Sequence, residues 1–189
     1  MSKQETTDYR AYRSTFTKKA QQIVQKLSLE EKIYLMSGLR TMEEVRKSIQ
    51  KKVNTHYNEV PYRAGGIDGK VPPVLFADGT KGVVCDRKMY TCFPVESMRG
   101  ASFDPMLEKE IGEAIGAEVL LAGANLFGGV CVNLPYHPGW GRAQETFGED
   151  PYLLGEMGAA LVEGVQTTGV IACVKHFAGY GGATGGRDY

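Results

Sequence analysis

Neither sign of charge is in excess, since 22 lysines and arginines face 22 aspartates and glutamates among 189 residues. Without a net field nothing draws the chain as a whole to nucleic acid or to an acidic membrane surface, and neither partner is expected. Long apolar runs are also lacking. The start, Met1 to Thr17, is polar and mixed in charge, with no stretch of the length a secretory signal or a membrane span requires, so the expected location is the cytoplasm. The four cysteines, Cys85, Cys92, Cys131 and Cys173, have neither CxxC spacing nor a small disulfide-scaffold pattern. The last two lie in apolar runs, and the set reads as buried free thiols. Histidine is scarce as well. His56 and His137 have no partner at metal-ligand spacing, and neither a metal nor another cofactor is expected.

What is present is an apolar fraction of 42%, enough for a buried core in one domain of ordinary size. Phe16, Ala20, Ile23 or Val24, and Leu27 fall on one face at helical spacing and predict a helix over about 16–27. Ser28 with Glu31 reads as a capping box opening a second helix, with Gly38 as its stop. Thr41 with Glu44 repeats the device for a helix toward Val53. Residues 54–70, rich in glycine, tyrosine and polar residues, read as a loop. The domain organisation expected is an N-terminal helical arm and lead-in over 1–60 followed by a main domain over 61–189.

From Val71 onward short apolar runs end in polar or glycine residues and are followed by amphipathic helices, the pattern of β/α units. The runs are Val74 to Ala77, Val130 to Leu134 and Val170 to Val174, continuous as in parallel strands covered on both faces. Cys92 to Met98 gives a further strand signal. After Asp104 and Pro105, the residues Leu107, Ile111, Ile115 and Val119 form a buried stripe, with Glu108, Lys109 and Glu113 largely outside. Asp150 and Pro151 open another helix with Leu154, Met157, Leu161 and Val165 inside, and Gly169 ends it. The fold class is α/β, a partial (β/α)8 TIM-barrel-like domain with an N-terminal helical arm.

In such a barrel the functional groups lie beyond the C-terminal ends of the strands. The three strands end in Asp78-Gly79, in the segment from Asn133 to Arg142, and in Lys175-His176-Phe177. A carboxylate, a guanidinium, an ammonium and an imidazole suit a neutral, hydroxyl-rich ligand, because the first and last accept from hydroxyls and the other two donate to them. Trp140 adds either a platform for a sugar face or packing for its own loop. Asp78 is also a turn residue before glycine, Arg142 and Glu145 also make a surface ion pair, and His176 also fits a satisfied core position. Neighbours on a regular strand point to opposite faces, so Lys175 and His176 reach one ligand only if the backbone breaks between them.

The strings PVLFADGTKGV (73–83), CFP (92–94), GWGRAQETFGEDP (139–151) and VKHFAGYG (174–181) resemble, in order and spacing, the motifs of the N-terminal barrel of glycoside hydrolase family 3. The LSLEEKIYLMSG segment from Leu27 resembles that family's lead-in helix. The resemblance implies a retaining, exo-acting β-glycosidase of the β-glucosidase kind, with Asp78, Arg142, Lys175 and His176 on the hydroxyls of the terminal sugar. The nucleophilic aspartate and the acid/base glutamate would lie beyond this chain, which would then contain no catalytic residue. Two departures stand out. Thr80, Lys81 and Val84 replace residues common after the Asp-Gly pair, so that one sugar contact is missing or taken over by Arg87. Tyr180 stands near the place where the N-acetylglucosaminidase branch has a second histidine, which disfavours that branch.

A full barrel takes roughly 250 residues and one β/α unit about 30, leaving room here for about four units. The expected partners are therefore a β-linked glucoside or related sugar and the rest of the barrel, on the same or a separate polypeptide, or else a second copy of the chain. A noncatalytic carbohydrate-binding or assembly module derived from the same fold is the alternative reading. An independent enzyme using Glu145 or Asp78 is a third.

Overall fold

The computed structural model describes residues 9–37, 43, 46–47, 62–85, 88–177 and 179–183. These divide into two compact units, one drawn from Met1–Leu39 with Ala64–Pro73 and the other from Arg40–Arg63 with Val74–Tyr189.

In the first unit, helix α1 (Tyr9–Ser14) precedes α2 (Thr17–Gln25) and α3 (Leu29–Leu35). α2 matches the expected helix, although Phe16 and Val24 on its apolar face are exposed and only Leu27, just beyond it, is buried. The capping box at α3 is complete: Ser28 Oγ accepts from the Glu31 N–H at 3.2 Å, and Glu31 Oε2 accepts from the Ser28 N–H at 2.9 Å. Gly38, and most of the helix expected from Thr41 toward Val53, lie outside the described residues. Within that helix Glu43, Arg46 and Lys47 are helical, and Lys47 pairs with Glu43 at 2.7 Å.

The sheet has four strands in the order β1-β2-β3-β4: β1 (Tyr62–Ala64), β2 (Val74–Ala77), β3 (Leu126–Cys131) and β4 (Ile171–Lys175). β2, β3 and β4 are parallel neighbours. Around them lie helices α4 (Glu96–Gly100), α5 (Pro105–Leu121) and α6 (Pro151–Thr167). The mixed α/β content is thus as expected, with four corrections of detail. β1 occupies part of the expected 54–70 loop. Glu96–Gly100 is helical rather than extended, which puts Glu96 and Arg99, three apart, on one face at 3.3 Å. β3 begins at Leu126, ahead of the expected Val130, and contains Gly128 and Gly129, which interrupt the apolar run in the sequence. Only β3 is thoroughly buried, whereas Ile171 and Val174 of β4 are exposed.

The core forms where α5 and α6 pack on β3. Asp104 Oδ1 accepts from the Met106 and Leu107 N–H groups, and Asp150 Oδ1 from that of Leu153, so each helix starts with the expected side-chain cap. Ile111, Ile115 and Val119 of α5 meet Met157, Leu161 and Val165 of α6 around Phe127 and Val130, while Leu154 is buried outside that cluster. Leu107 is exposed, and Glu108, expected outside, is fully buried, because it faces Arg99 of α4. Cys85 and Cys131 are buried free thiols, but Cys92 is exposed and Cys173 half-buried. Among the described residues no helix is long and apolar enough to cross a membrane.

Candidate functional site

The C-terminal ends of β2, β3 and β4 carry the polar side chains the sequence singled out. β2 passes directly into Asp78, and the chain turns at Gly79, whose φ of +137 and closeness to the Gly82 carbonyl admit no side chain. The Val84 N–H donates to the Asp78 carbonyl at 2.8 Å and closes the turn. Asp78 is therefore the turn residue that its Asp-Gly pairing suggests, and its side chain has a further task. Lys175 Nζ, at the end of β4, donates to Asp78 Oδ1 at 3.0 Å. Both side chains are largely shielded from solvent, so the pair is stronger than a surface ion pair.

The Lys175–His176 peptide bond is cis, and β4 ends there. The expected break in strand alternation thus falls between these two residues. Lys175 reaches Asp78, while His176 is held by Asn133, which follows β3. Asn133 Oδ1 accepts from the His176 N–H at 3.0 Å and from Nδ1 at 2.8 Å, and Asn133 Nδ2 donates to the His176 carbonyl at 3.2 Å. An amide oxygen only accepts, so Nδ1 carries the proton and Nε2 presents its lone pair. Arg142 Nη1 lies 3.5 Å from that Nε2 and 3.4 Å from the Tyr180 hydroxyl. Burial, followed by the charges of Lys175 and Arg142, pushes the imidazole down to about 4, so His176 is neutral at physiological pH.

Arg142 also pairs with Glu145 across the short 3-10 turn Ala143–Glu145, with both side chains mostly covered. Its guanidinium lies 5.3 Å from the centroid of the Tyr180 ring. Tyr180 makes edge contacts with His176 at 4.8 Å and with Trp140 at 5.1 Å between ring centroids. Trp140 itself is 3% exposed and packs against Tyr180 and beside Gly181 of the segment after β4. The arrangement brings Asp78 to Lys175 and Arg142 to His176, with Trp140 behind Tyr180. Beside it a cleft of about 410 Å³ is lined by Asn133, Tyr136, Lys175, His176, Phe177 and Tyr180 but by neither Asp78 nor Arg142, a volume within the range of small-molecule sites, roughly 300–1,000 Å³. His137 accepts from the Gly139 N–H at 3.0 Å, a loop-forming role, and His56 lies outside the described residues. Among the described residues no group of three histidine, cysteine, aspartate or glutamate side chains stands where a metal would be held.

Residues 13–189 match the model of the glycosyl hydrolase family 3 N terminal domain. The chain belongs to glycosyl hydrolase family 3. Probable beta-glucosidase H of Aspergillus flavus is 32% identical over 162 residues, covering 83% of this chain and 17% of its own length. Thermostable beta-glucosidase B of Acetivibrio thermocellus is 32% identical over 167 residues, covering 82% of this chain and 20% of its own. Beta-glucosidase 3B of Thermotoga neapolitana, solved in complex with alpha-D-glucose, superposes with a TM-score of 0.70 at 30% identity, covering 84% of this chain and 23% of that one. The family 3 beta-glucosidase of Bifidobacterium adolescentis gives 0.70 at 31% identity, covering 84% and 21%. The chain thus spans about a fifth of the length of these relatives.

Two features of this family 3 domain were not singled out from its sequence. Asn133 clamps His176, and its only signal is a polar residue straight after the apolar run of β3. The other is a buried cluster of Glu96, Arg99 and Glu108, in which Arg99 Nη2 lies 3.3 Å from Glu96 and Nη1 3.4 Å from Glu108. Helical spacing hints at the first pair, but nothing in the sequence links either residue to Glu108.

Proposed function

We propose that this chain is the N-terminal, sugar-binding part of a retaining, exo-acting β-glycosidase of the β-glucosidase kind. Asp78, Arg142, Lys175 and His176 hold the hydroxyls of the nonreducing-end sugar. Asp78 and the lone pair on His176 Nε2 accept hydrogen bonds, while Lys175 and Arg142 donate them. Trp140 supports the site from behind Tyr180. The nucleophilic aspartate and the acid/base glutamate, about 5 to 5.5 Å apart in retaining enzymes, come from outside this chain.

The observation that carries this reading is the meeting of Lys175 with Asp78 and of His176 with Arg142 at one end of a parallel sheet. These four side chains have complementary hydrogen-bonding character and, with Glu145 balancing Arg142, form a neutral, largely shielded patch. That patch suits a polyol better than an ion, because each charge already has a counter-charge or a polar partner. Hydrogen bonds to charged groups contribute roughly 1.5 to 3 kcal/mol each, so a few suffice to fix one pyranose ring. The glucose found in the Thermotoga relative supports the same substrate class.

On this reading further strands of a β/α barrel would pair with β4, whose Ile171 and Val174 are exposed, as is Phe177 two residues beyond its end. Hydrolysis of an aryl β-glucoside by this chain, alone and together with the remainder of the barrel, tests the reading. Turnover only in the mixture is the expected result. Turnover by the chain alone would transfer catalysis to Glu145 or Asp78, and glucose binding without turnover in either case would make the chain a noncatalytic module.

A further inference from the structure

Arg99 is almost wholly buried, at 3% exposure, between two carboxyl groups that are buried completely. Glu96 reaches it from within α4 and Glu108 from α5. Two acids and one guanidinium do not balance unless a proton stays on the acids. Burial supplies that proton by raising both carboxyls, Glu96 to about 8 and Glu108 to about 7. The pairs are long, at 3.3 and 3.4 Å, and buried ion pairs without tight geometry contribute little or nothing to stability compared with well-packed apolar side chains. Such a cluster needs a reason other than stability.

The reason lies in what Arg99 touches beyond the two acids. Its Nη2 donates to the Thr80 carbonyl at 3.2 Å, in the turn that carries Asp78. Its guanidinium lies 5.6 Å from the centroid of the Phe147 ring, in the segment that follows Arg142 and Glu145. The next residue, Gly100, comes so close that a Cβ there would stand 1.9 Å from the Phe147 carbonyl oxygen. One side chain thus contacts both the turn that carries Asp78 and the segment that follows Arg142.

We infer that Arg99 is a positioning residue: enclosed between Glu96 and Glu108, it sets the Asp78 turn and the Arg142 segment in mutual register, and through them the affinity for sugar. It rests on the proposed sugar site and touches no sugar itself.

The test uses the intact protein in four forms: wild type, Asp78→Asn, Arg99→Lys, and a triple variant Glu96→Leu/Arg99→Met/Glu108→Leu, which fills the same space without charge. Glucose affinity is measured by calorimetry, the thermal midpoint by scanning, and the opening of the turn by hydrogen exchange at the Val84 amide, which is bonded to Asp78. The triple variant is expected to keep its thermal midpoint, to lose about tenfold or more in glucose affinity and to exchange the Val84 amide faster, since the donor to Thr80 is gone. Arg99→Lys, which keeps one donor, is expected to recover part of the affinity. In an active preparation the loss appears in both kcat and KM, as it does for misplaced sugar contacts.

Unchanged affinity and unchanged exchange in the triple variant would overturn the inference. If it folds with a lowered midpoint and Arg99→Lys restores nothing, the role is structural. Should the wild type and Asp78→Asn fail alike to bind glucose, the sugar reading itself falls, and Arg99 is then judged by Val84 exchange alone.

Discussion

Lys175 Nζ stands 3.0 Å from Asp78 Oδ1, across 97 residues of chain and with β3 running between the two strands that deliver them. Neighbouring strands lie about 4.8 Å apart, so β2 and β4 are separated by about 10 Å. The four-carbon stem of lysine covers part of that gap. The rest is closed because the turn after β2 leans over β3 at Gly129, where a Cβ would stand 1.6 Å from the Gly79 carbonyl oxygen. A residue with no side chain therefore decides whether two charged ones meet.

Gly129→Ala is accordingly expected to push the Asp78 turn away from β3, with a loss of about 1–3 kcal/mol or more and a marked drop in glucose affinity. Gly123→Ala is the control, because nothing lies within 4 Å of its Cβ position and only its φ of +77 disfavours a side chain. Its cost is about 1 kcal/mol, with affinity unchanged. Urea unfolding and calorimetry of the two variants check both halves. Equal effects would show that the backbone approach over β3 has no consequence for the site.

Removing one member of the Asp78–Lys175 pair is expected to separate binding from folding. Asp78→Asn keeps the shape and an acceptor but loses the charge, while Lys175→Met keeps the stem and loses the donor. Each is expected to weaken glucose binding by about tenfold to a hundredfold, as the loss of a hydrogen bond to a charged group implies. Calorimetry with glucose measures it, and circular dichroism verifies that the fold persists. Wild-type affinity in both variants would remove the pair from the site.

Most of this architecture is legible in the sequence, because helix caps and apolar stripes are local signals. Ser28 with Glu31, Asp104 with Pro105, and Asp150 with Pro151 each mark a helix start that the structure has. Leu154, Met157, Leu161 and Val165 are all buried, the last three in one cluster. What escapes is whatever depends on two distant segments meeting. Gly128 and Gly129 look like a break in a strand until the Phe76 ring and the Gly79 carbonyl are seen to occupy the space where their side chains would be. Glu108 looks like a solvent-facing position on α5 until Arg99 arrives from α4. Asp78 and Lys175 adjoin strand ends and Arg142 reaches His176 from the loop after β3, but strand order and the turn over β3 determine which of them pair, and neither is a local signal.

The His176 imidazole is expected to be neutral, with its proton on Nδ1, at every pH from 8 down to about 5. Its depressed pKa of about 4 means that the unfolded chain, with an ordinary histidine near 6.5, binds more protons between these values. The stability linked to His176 is therefore complete above about 6.5 and is lost as pH falls toward 4. Glucose affinity of the folded chain instead follows the folded-state value, holding down to about pH 5 and falling as pH approaches 4, because a protonated ring offers no lone pair and faces Lys175 and Arg142. Long-range nitrogen–proton correlation spectra of the ring identify the tautomer. A proton on Nε2, or a charged ring at pH 6, would contradict the Asn133 clamp.

The Glu96–Arg99–Glu108 cluster predicts the opposite slope. Both carboxyls are raised by burial, to about 8 and about 7 from an ordinary value of 4.5, so the folded chain holds protons there that the unfolded chain has released. Their contribution to stability is full below about 4.5 and disappears as pH rises through 7 and 8, at up to the order of 1 kcal/mol per pH unit for each proton. Arg99, which faces both, and Glu145, which bears on Glu96, set where the two steps fall. Glutamine at 96 and 108 keeps the shape and removes the titration, so the double variant Glu96→Gln/Glu108→Gln is expected to lose the decline between pH 6 and 8 while keeping the acid-side loss that His176 causes. Urea midpoints taken across that range read the difference directly. Wild-type and variant curves that run parallel there would mean that both acids are ionised in the folded protein, and Arg99 would then be one cation facing two buried anions.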